Sequence, residues 1–327
     1  MLVQRIQMRL LITGGTGSLG HALTRHVLAT TDWRLVVLSR DELKQAQMRA
    51  AIPDPRVDFF LGDVRDQDRL TLAFAPVDAV VHAAALKRVD SVARDPDEVF
   101  QTNVLGTRNV LRAAHLADVR RVLLISSDKA CYATNAYGVS KAQAEWMTVA
   151  YNTYGAPSGT LSSVLRYGNV LGSRGSVVHT WRAQPLPLTI TDPLATRFII
   201  TMPQAVQFVT DAIQDMQGGE IFVPHLPAAR MLDLAEALRP GMSWVDTGPR
   251  PGGEKRHETL LTAEESERAV DVGRVSIVPP FFHPWTDKPA WANEPLVTPG
   301  ARTSDAAPGL DVATLRNLCE SVPEEGV

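Results

Sequence analysis

A tyrosine and a lysine four residues apart are the first side chains in this sequence whose types and spacing could do chemistry. Tyr137 and Lys141 stand in the run Tyr-Gly-Val-Ser-Lys, within a predicted helix that continues to about Tyr151. Residues four apart share one helical face. A phenol with a pKa of about 10 is a poor base at neutral pH, but a nearby ammonium favours the phenolate. The pair therefore predicts removal of a hydroxyl proton while the carbon gives a hydride to a nicotinamide, the alternative being a core tyrosine with a satisfied hydroxyl.

Three polar residues come before this pair, after an apolar run that predicts a strand over Arg121–Ser126. Ser127 could hydrogen-bond the same hydroxyl as Tyr137. Asp128 and Lys129 follow, with a solvated ion pair in a loop as the alternative to a chemical role. Short motifs of this kind occur by chance, and their specificity comes from their place, roughly 120 residues after a glycine-rich loop.

That glycine-rich loop joins a predicted strand, Arg9–Thr13, to a predicted helix over Ser18–Ala29. Gly14 permits a tight turn, Gly17 lets a pyrophosphate approach the backbone, and Gly20 allows close packing of helix on strand. The helix N-terminus then presents the positive end of its dipole to the phosphates. The loop therefore predicts a bound dinucleotide. The residues expected to contact it here are Gly14, Thr16, Gly17, Ser18, Leu19 and Gly20.

The end of the second predicted strand indicates which dinucleotide binds. NAD-binding proteins place an acidic residue there for the ribose 2′-hydroxyl. This strand instead leads into Ser39 and Arg40, and Arg40 could pair with the 2′-phosphate of NADP. Asp41 follows, so NAD stays the alternative. Further cofactor contacts are expected from Asp63, Val64, Ala83, Ala84, Ala85, Asn103, Tyr137 and Lys141, although Asn103 also fits a helix kink.

Repeated strand–helix units around these motifs predict an α/β fold, a Rossmann-type doubly wound parallel sheet with right-handed crossovers. The predicted strands are short and almost wholly apolar, as expected when both faces of a sheet are buried. They cover Arg9–Thr13, Arg34–Leu38, Val57–Leu61, Ala79–His82 and Arg121–Ser126. Ser39 to Glu42 has capping-box spacing before a helix predicted from about Asp41 to Ala51.

The regular alternation of strand and helix patterns changes after about Leu171, where proline and glycine become frequent. We expect an NADP-binding Rossmann domain over residues 1–170, a smaller, mainly substrate-binding α/β domain over 171–278, and a Pro-rich C-terminal segment over 279–327. Helices are predicted over Pro203–Met216 and Met231–Leu238. The Pro-rich stretch is either a strap over the surface or a mobile segment.

Composition narrows the class of protein and partner. The chain has 327 residues, a formal net charge of −3 and two cysteines. This charge gives no reason to expect nucleic acid or an anionic membrane as a partner. Two cysteines make no disulfide framework, which fits a reducing cytosol. No apolar run approaches the ~20 residues of a membrane span or forms a signal peptide, and no metal-ligand spacing occurs. We therefore expect a soluble, cytoplasmic protein without a metal.

Together these motifs resemble the extended short-chain dehydrogenase/reductase superfamily, and further runs resemble the UDP-N-acetylglucosamine 4,6-dehydratases of the 5-inverting type. The resemblance extends from Leu10 to about Glu258 and matches the short form rather than the long, membrane-anchored members. The runs that carry it are Ser39–Gln45, His82–Lys87, Ser126–Ala130, Arg166–Val170, Gly172–Val177, Ile190–Asp192, Thr196–Phe198, Gly219–Pro224 and Arg250–Lys255.

The resemblance implies transient oxidation at C4 of a nucleotide-linked sugar, loss of water across C5 and C6, and return of the hydride to C6. It implies that Asp128 is the acid that protonates the departing C6 hydroxyl and that Lys129 is the base that removes the C5 proton. A lysine base must be partly neutral, which requires desolvation or a cationic neighbour. The resemblance also implies a homo-oligomer.

Arginines are expected to bind the substrate diphosphate, since a guanidinium can form two parallel hydrogen bonds with it. The candidates are Arg166, Arg174, Arg197 and Arg250. By the resemblance, further substrate contacts come from Lys87, Asn169, Val177 and Glu254. The sequence departs from the family pattern at Cys131–Thr134, where Cys131 is either a wall residue or a reactive thiol, and at Gly252–Gly253, one glycine more than usual.

Two other functions stay open. A nucleotide-sugar C4 epimerase shares the Tyr–Lys pair and the C4 ketone but needs no acid–base pair for C5 and C6, so Asp128 and Lys129 favour dehydration. A protein that binds NADP without catalysis would not need Tyr137, Lys141 and Ser127 together.

Overall fold

The computed structural model describes residues 7–154, 159–250, 252–282 and 288–323, without the side chains of residues 90 and 91. The strands are β1 (Arg9–Thr13), β2 (Arg34–Ser39), β3 (Val57–Leu61), β4 (Ala79–His82), β5 (Arg121–Ser127), β6 (Leu161–Tyr167), β7 (Asn169–Val170), β8 (Leu188–Ile190), β9 (Thr196–Ile200), β10 (Ile221–Pro224), β11 (Ala228–Arg230), β12 (Trp244–Asp246), β13 (Thr259–Leu261), β14 (Val270–Asp271), β15 (Val275–Val278) and β16 (Arg302–Thr303). The α-helices are α1 (Ser18–Thr30), α2 (Glu42–Ala51), α3 (Gln67–Ala73), α4 (Val89–Val92), α5 (Pro96–Val99), α6 (Gly106–Leu116), α7 (Ala136–Tyr154), α8 (Val177–Ala183), α9 (Met202–Asp215), α10 (Met231–Leu238), α11 (Ala263–Ser266) and α12 (Val312–Glu320). A π-helix covers Phe100–Leu105, and 3-10 helices cover Asp128–Ala130 and Ala290–Asn293.

A nine-stranded sheet in the order β14-β15-β10-β6-β5-β4-β1-β2-β3 forms the centre of the fold. The strands from β10 to β3 are parallel, and β15 and β14 are antiparallel additions at one edge. The predicted α/β fold with a doubly wound parallel sheet is thus confirmed. The predicted strands agree with β1 to β5 to within one residue, because buried parallel strands are recognisable as continuous apolar runs.

Helices cover both faces of this sheet, since successive side chains of a strand point to opposite faces. On one face, Leu10 and Ile12 of β1 pack with Leu23 of α1 and Val209 of α9. On the other face, Leu11 of β1 packs with residues of α3 and α6. The two clusters fix the carboxyl ends of the parallel strands, which is where ligand sites of such sheets form.

The capping box predicted from Ser39 is wrong. Ser39 is the last residue of β2 and pairs with Leu61 of β3, so the strand continues through it. Asp41 caps α2 instead, and its carboxylate accepts a 3.0 Å hydrogen bond from the backbone N–H of Lys44. An aspartate satisfies the free N–H groups of a first helical turn as well as a serine does, so the position of the strand end decides between them.

The second half of the chain contributes both to the large sheet and to a smaller cluster of helices. The large sheet takes β10, β14 and β15 from the range 171–278. A separate hydrophobic cluster joins α8 and α10 to α12, which comes from the range 279–327. The two helices predicted in this half correspond to α9, shifted by one residue, and to α10. The large sheet and this cluster thus both take elements from more than one of the three predicted ranges, and the boundaries at 170 and 278 stay predictions.

Much of the Pro-rich stretch packs as a strap on the surface. Val297 is buried, and its backbone N–H donates a hydrogen bond to the carbonyl of Ala269. β16 pairs with β13, which carries the strap back to the centre of the protein. Residues 283–287 of this stretch lie outside the described ranges. Across the described ranges, none of the helices has the length and apolar character needed to cross a membrane.

Candidate active site

The end of β5 places a cluster of polar side chains beside the first turn of α7. The hydroxyl of Ser127 donates a 2.9 Å hydrogen bond to Asp128 Oδ1 and accepts one of 3.3 Å from the backbone N–H of Lys129. Ser127 also hydrogen-bonds Tyr137. The structure therefore brings together four of the five residues that the sequence indicates for catalysis.

The fifth residue, Lys141, acts on the backbone rather than on the phenol. Its Nζ donates a 2.6 Å hydrogen bond to the carbonyl oxygen of Ile125, and burial lowers the pKa of Lys141 to about 8. Burial raises the pKa of Tyr137, and the Lys129 ammonium and the Ser127 hydrogen bond lower it by less. The charge of Lys129 therefore favours the Tyr137 phenolate in this state, and the same role for Lys141 stays a prediction.

Asp128 has the environment of an acid. Its side chain is fully buried. Burial raises the pKa of Asp128, the Lys129 ammonium 3.0 Å away lowers it, and the carboxylate of Glu258 raises it again, with an upward net direction. A carboxyl group that keeps its proton at a higher pH than usual can donate that proton to a leaving group.

Lys129 is held as an ammonium. Its Nζ lies 3.0 Å from Asp128 Oδ1, 3.2 Å from Glu258 Oε1 and 3.3 Å from Asn169 Oδ1. Burial lowers the pKa of Lys129, but the two carboxylates raise it by more. Lys129 therefore carries its proton in this state, where Glu258 adds a second negative charge, and the partly neutral lysine that a base requires stays a prediction.

Sequence reasoning did not select Glu258 as a functional residue. Its side chain is 2% exposed and lies 3.0 Å from Lys255 Nζ and 4.0 Å from Arg197 Nε. The sequence signal that could have found it is the placing of two glutamates four residues apart, Glu254 and Glu258, around a lysine.

Two of the four arginines expected on the diphosphate are occupied inside the protein. Arg197 is 4% exposed, donates to two backbone carbonyls and pairs with Glu254 at 2.9 Å. Arg166 is 2% exposed and pairs with Glu145 at 2.6 Å and Glu265 at 2.8 Å. These contacts do not support a diphosphate role for either arginine, because carboxylates from distant segments already satisfy their guanidinium groups.

Arg250, Arg174 and Lys87 instead present cations at the surface. The side chain of Arg250 is 54% exposed while it pairs with Glu254 at 2.8 Å. The backbone N–H of Arg174 donates a 2.9 Å hydrogen bond to Ser18 Oγ, so the loop after β7 touches the phosphate loop. Partial burial and the charge of Arg174 lower the pKa of Lys87, so these two cations lie near each other. Neighbouring cations of this kind suit an anionic ligand.

The glycine-rich loop leaves a cradle that side chains would fill. Gly14 has a φ of +65°, and a Cβ there would lie 2.9 Å from the backbone of Ala84. A Cβ on Gly20 would lie 2.1 Å from the carbonyl oxygen of Gly15. Gly17 directly precedes α1, whose first residues are Ser18 and Leu19. This arrangement fits a pyrophosphate bound at the N-terminus of the helix.

A cavity of about 330 Å³ continues from the loop along the ends of β2 and β3. Arg40 is 54% exposed there and lies 3.7 Å from Asp63, whereas Asp41 is engaged as the cap of α2. The lining also includes Lys44 and Thr102, which the sequence analysis did not name. The predicted residues that line this cavity are Gly14, Thr16, Ser39, Arg40, Asp63, Val64, Ala84 and Ala85.

Asn103 holds neighbouring segments of the protein together and does not line the cofactor cavity. Its side chain is 1% exposed, accepts a 2.8 Å hydrogen bond from the N–H of Leu86, and donates to the Leu86 carbonyl and to Ser140 Oγ, each at 2.9 Å. The predicted helix kink is confirmed as the π-helix Phe100–Leu105. A cofactor contact by Asn103 is not supported, because its amide is satisfied within the protein.

Two predicted contact residues lie at the borders of the site. Ala83 extends β4, and its backbone N–H donates a 3.3 Å hydrogen bond to the carbonyl of Thr13. Val177 begins α8 and packs against the hydrophobic cluster of the smaller part of the protein. In the described part of the chain, His, Cys, Asp and Glu form no group of three that could hold a metal ion.

The two departures from the family pattern contact each other. Thr134 Oγ1 donates a 2.8 Å hydrogen bond to the carbonyl of Gly253, in the run with the additional glycine. Pro251 of that run lies outside the described ranges. Tyr132 has a φ of +43°, and its hydroxyl donates a 2.8 Å hydrogen bond to Glu264. Cys131 is buried, and burial raises the pKa of its thiol, so it is a wall residue rather than a reactive thiol.

Comparison with known proteins shows the family to which this chain belongs. Residues 10–280 match the family described as Polysaccharide biosynthesis protein. The chain is 41% identical over 264 residues to a UDP-N-acetylglucosamine 4,6-dehydratase (inverting) of Campylobacter jejuni, which covers 79% of this chain and 78% of that protein. It is 39% identical over 285 residues to a UDP-glucose 4-epimerase of Rickettsia bellii, which covers 84% of this chain and 83% of that protein.

Two solved structures have the same fold. Pen from Bacillus thuringiensis is 31% identical, with a TM-score of 0.88 over 95% of this chain and 96% of that one. The dTDP-glucose 4,6-dehydratase DesIV from Streptomyces venezuelae, solved with NAD bound, is 25% identical, with a TM-score of 0.68 over 76% of this chain and 88% of that one.

The burial of Lys141 predicts a pH-dependent stability. Its pKa is about 8 in the folded protein against 10.5 as the ordinary value. Between these pH values the unfolded chain binds a proton that the folded chain does not, so stability rises with pH in this window. Relative to Lys141→Met, the wild-type protein should gain about 1.4 kcal/mol of unfolding free energy per pH unit there. Urea unfolding of both proteins from pH 7 to pH 10.5 measures this difference, and a difference that stays constant contradicts the assigned burial.

Proposed function

The chain belongs to the polysaccharide biosynthesis protein family and to the extended short-chain dehydrogenases/reductases, and we propose that it converts UDP-N-acetylglucosamine to the 4-keto-6-deoxy sugar with inversion at C5. The observation that carries this proposal is the buried contact of Asp128 with Lys129, beside Tyr137. The contact adds to an oxidation site the acid and the base that elimination of water across C5 and C6 requires.

Tyr137 and Ser127 act in the oxidation at C4. Tyr137 takes the proton of the C4 hydroxyl, and Ser127 hydrogen-bonds the phenol. Because burial disfavours the phenolate, the step depends on the positive charge of Lys129 nearby. A bound nicotinamide would supply the exchange of hydride, from C4 at first and to C6 at the end, and C5 would then take a proton from the face opposite Lys129, which inverts that centre.

Elimination belongs to Asp128 and Lys129. Their atoms lie 3.0 Å apart, so a proton can pass from the ammonium to the carboxylate. This single transfer leaves a neutral amine, which removes the C5 proton, and a carboxyl group, which protonates the departing C6 hydroxyl. Burial reduces the preference for the ion pair because charges are costly away from water, although the two carboxylates keep Lys129 an ammonium until this transfer. Asn169, 3.3 Å from the amine, holds Lys129 in position.

The substrate diphosphate is assigned to the exposed cations. Arg250 carries its charge at the surface, and Glu254 orients it through a 2.8 Å ion pair. Arg174 and Lys87 lie beside the phosphate loop and supply further positive charge. Val177, the first residue of α8, is proposed to add apolar contact with the substrate.

The nicotinamide cofactor is proposed to be NADP. Gly14 and Gly20 support a pyrophosphate at α1, and the similar structure of DesIV was solved with NAD bound. Arg40 and Lys44 line the cavity at the end of β2, where the 2′-phosphate would lie. Asp41, the residue that would argue for NAD, has its carboxylate engaged with Lys44 at 2.7 Å.

The second candidate function is C4 epimerisation of a nucleotide sugar, which the name of the Rickettsia bellii relative favours. That reaction uses Tyr137 and the C4 ketone but leaves C5 and C6 unchanged. Epimerisation does not require a buried aspartate and lysine, so the presence of Asp128 and Lys129 supports dehydration. A homo-oligomer and a cytoplasmic location are proposed on the family resemblance.

The reaction is tested by proton NMR of UDP-N-acetylglucosamine incubated with the protein and NADP in deuterated water. We expect a new C6 methyl signal, deuterium at C5, and ring couplings that show inversion. Tyr137→Phe should lower the rate by about 10²- to 10⁴-fold, since it removes the proton acceptor at C4. A spectrum of UDP-N-acetylgalactosamine without a methyl signal contradicts dehydration and establishes the epimerase.

Cofactor choice is tested by equilibrium binding to Arg40→Ala. A charge-assisted contact with the 2′-phosphate contributes about 1.5–3 kcal/mol. The Kd for NADP should therefore rise by about tenfold to a hundredfold, and the Kd for NAD should stay within about twofold. Arg49→Ala is the matched control, since Arg49 lies on α2 with its guanidinium 4.7 Å from the Phe59 ring. Equal changes in both Kd values would contradict an NADP site at Arg40.

A further inference from the structure

Glu258 faces the proposed acid–base pair from a different part of the chain. Its Oε1 lies 3.2 Å from Lys129 Nζ, and the same nitrogen lies 3.0 Å from Asp128 Oδ1. One ammonium therefore pairs with two carboxylates, and both are buried: Asp128 is 0% exposed and Glu258 is 2% exposed. Two carboxylates near one cation compete for it, and the one with less positive charge around it keeps a proton more readily.

The surroundings decide this competition in favour of Glu258 as the anion. Lys255 Nζ lies 3.0 Å from Glu258 Oε2, and Arg197 Nε lies 4.0 Å from Oε1. These cations and Lys129 outweigh burial and lower the pKa of Glu258, whereas the net shift of the Asp128 pKa is upward. Two carboxylates with pKa values pushed apart are a common basis for assigning acid and base roles.

The backbone fixes Glu258 in this place. Its N–H donates a 2.9 Å hydrogen bond to Ser304 Oγ, and the N–H of Ser304 donates one of 2.9 Å to the Glu258 carbonyl. Ser304 is 2% exposed and also hydrogen-bonds Thr196 at the start of β9. Hydrogen bonds from Ser304 of the surface strap thus hold Glu258, which completes the cluster of charges, in place.

We propose that Glu258 is the positioning residue of the acid–base pair: its carboxylate anchors Lys129 and sets the pH range over which Asp128 and Lys129 share one proton. This inference rests on the proposed function. The other titratable or charged groups that act on the pair or on Glu258 are Tyr137 from α7, Arg197 from β9 and Lys255 from the loop before β13.

The direction of the pH effect follows from the sign of the charge. Dehydration requires that Asp128 and Lys129 together hold one proton. The pH–rate profile is therefore bell-shaped, with an acidic limb where the pair gains a second proton and a basic limb where it loses the first. Glu258→Gln removes a negative charge, which makes both protons easier to lose. Both limbs should therefore move to lower pH by about one unit or more. Glu267→Gln is the matched control, because it removes an exposed carboxylate just after α11. The limbs of this control should coincide with those of wild type.

A second measurement needs no substrate. The Lys129 amine is followed by NMR of lysine labelled at Cε, with its signal assigned by its loss in Lys129→Met. In Glu258→Gln the titration midpoint of Lys129 should fall by about one pH unit or more. This result would stand even if the protein did not dehydrate the tested sugar, so failure of the proposed function and failure of this inference are distinguishable.

Unchanged limbs and an unchanged Lys129 midpoint in folded Glu258→Gln overturn the proposal, as does an equal shift in Glu267→Gln. Circular dichroism shows whether each variant folds. If Glu258→Gln does not fold, Glu258→Asp provides the same test, since its carboxylate is one methylene further from Lys129. Glu258→Asp should move the Lys129 midpoint in the same direction by a smaller amount, and no movement overturns the proposal.

Discussion

The burial of two carboxylates beside one ammonium is the constraint on which the candidate site depends. Lys129 lies 3.0 Å from Asp128 and 3.2 Å from Glu258, and neither carboxylate can exchange this partner for water. The cluster must therefore hold protons that the same groups would lose in solution. A proton held in this way is what an elimination reaction needs, because it can leave on a hydroxyl while a neighbouring amine takes another from carbon.

The fold converges on this cluster from distant parts of the chain. The sheet ends β5 at Ser127, α7 brings Tyr137 beside it, and the clamp by Ser304 brings Glu258 from the far end of the sequence. The cofactor cavity lies at the ends of neighbouring strands β2 and β3. Chemistry and cofactor thus share the carboxyl edge of one parallel sheet, which is where such folds place their ligands.

The sequence was sufficient to predict whatever depends on local pattern. The buried strands, the glycine loop and the grouping of Ser127 with Tyr137 follow from apolar runs, turn chemistry and helical spacing. It was not sufficient where partners come from far away. Arg197 resembles a ligand for diphosphate until Glu254 is placed against it, and the ammonium state of Lys129 becomes apparent only when Glu258 is placed against it. Pairings over such separations have no signature in a single sequence.

The most direct test of the account follows the cofactor during a single turnover of Asp128→Asn with UDP-N-acetylglucosamine. Without the acid, oxidation at C4 should proceed and loss of the C6 hydroxyl should stall. We therefore expect absorbance of the reduced nicotinamide at about 340 nm to accumulate without a C6 methyl product, whereas wild type shows it only transiently. Formation of the methyl product at the wild-type rate would contradict the role of Asp128. So would a folded, cofactor-binding variant that shows no reduction, because Asp128 would then act at C4.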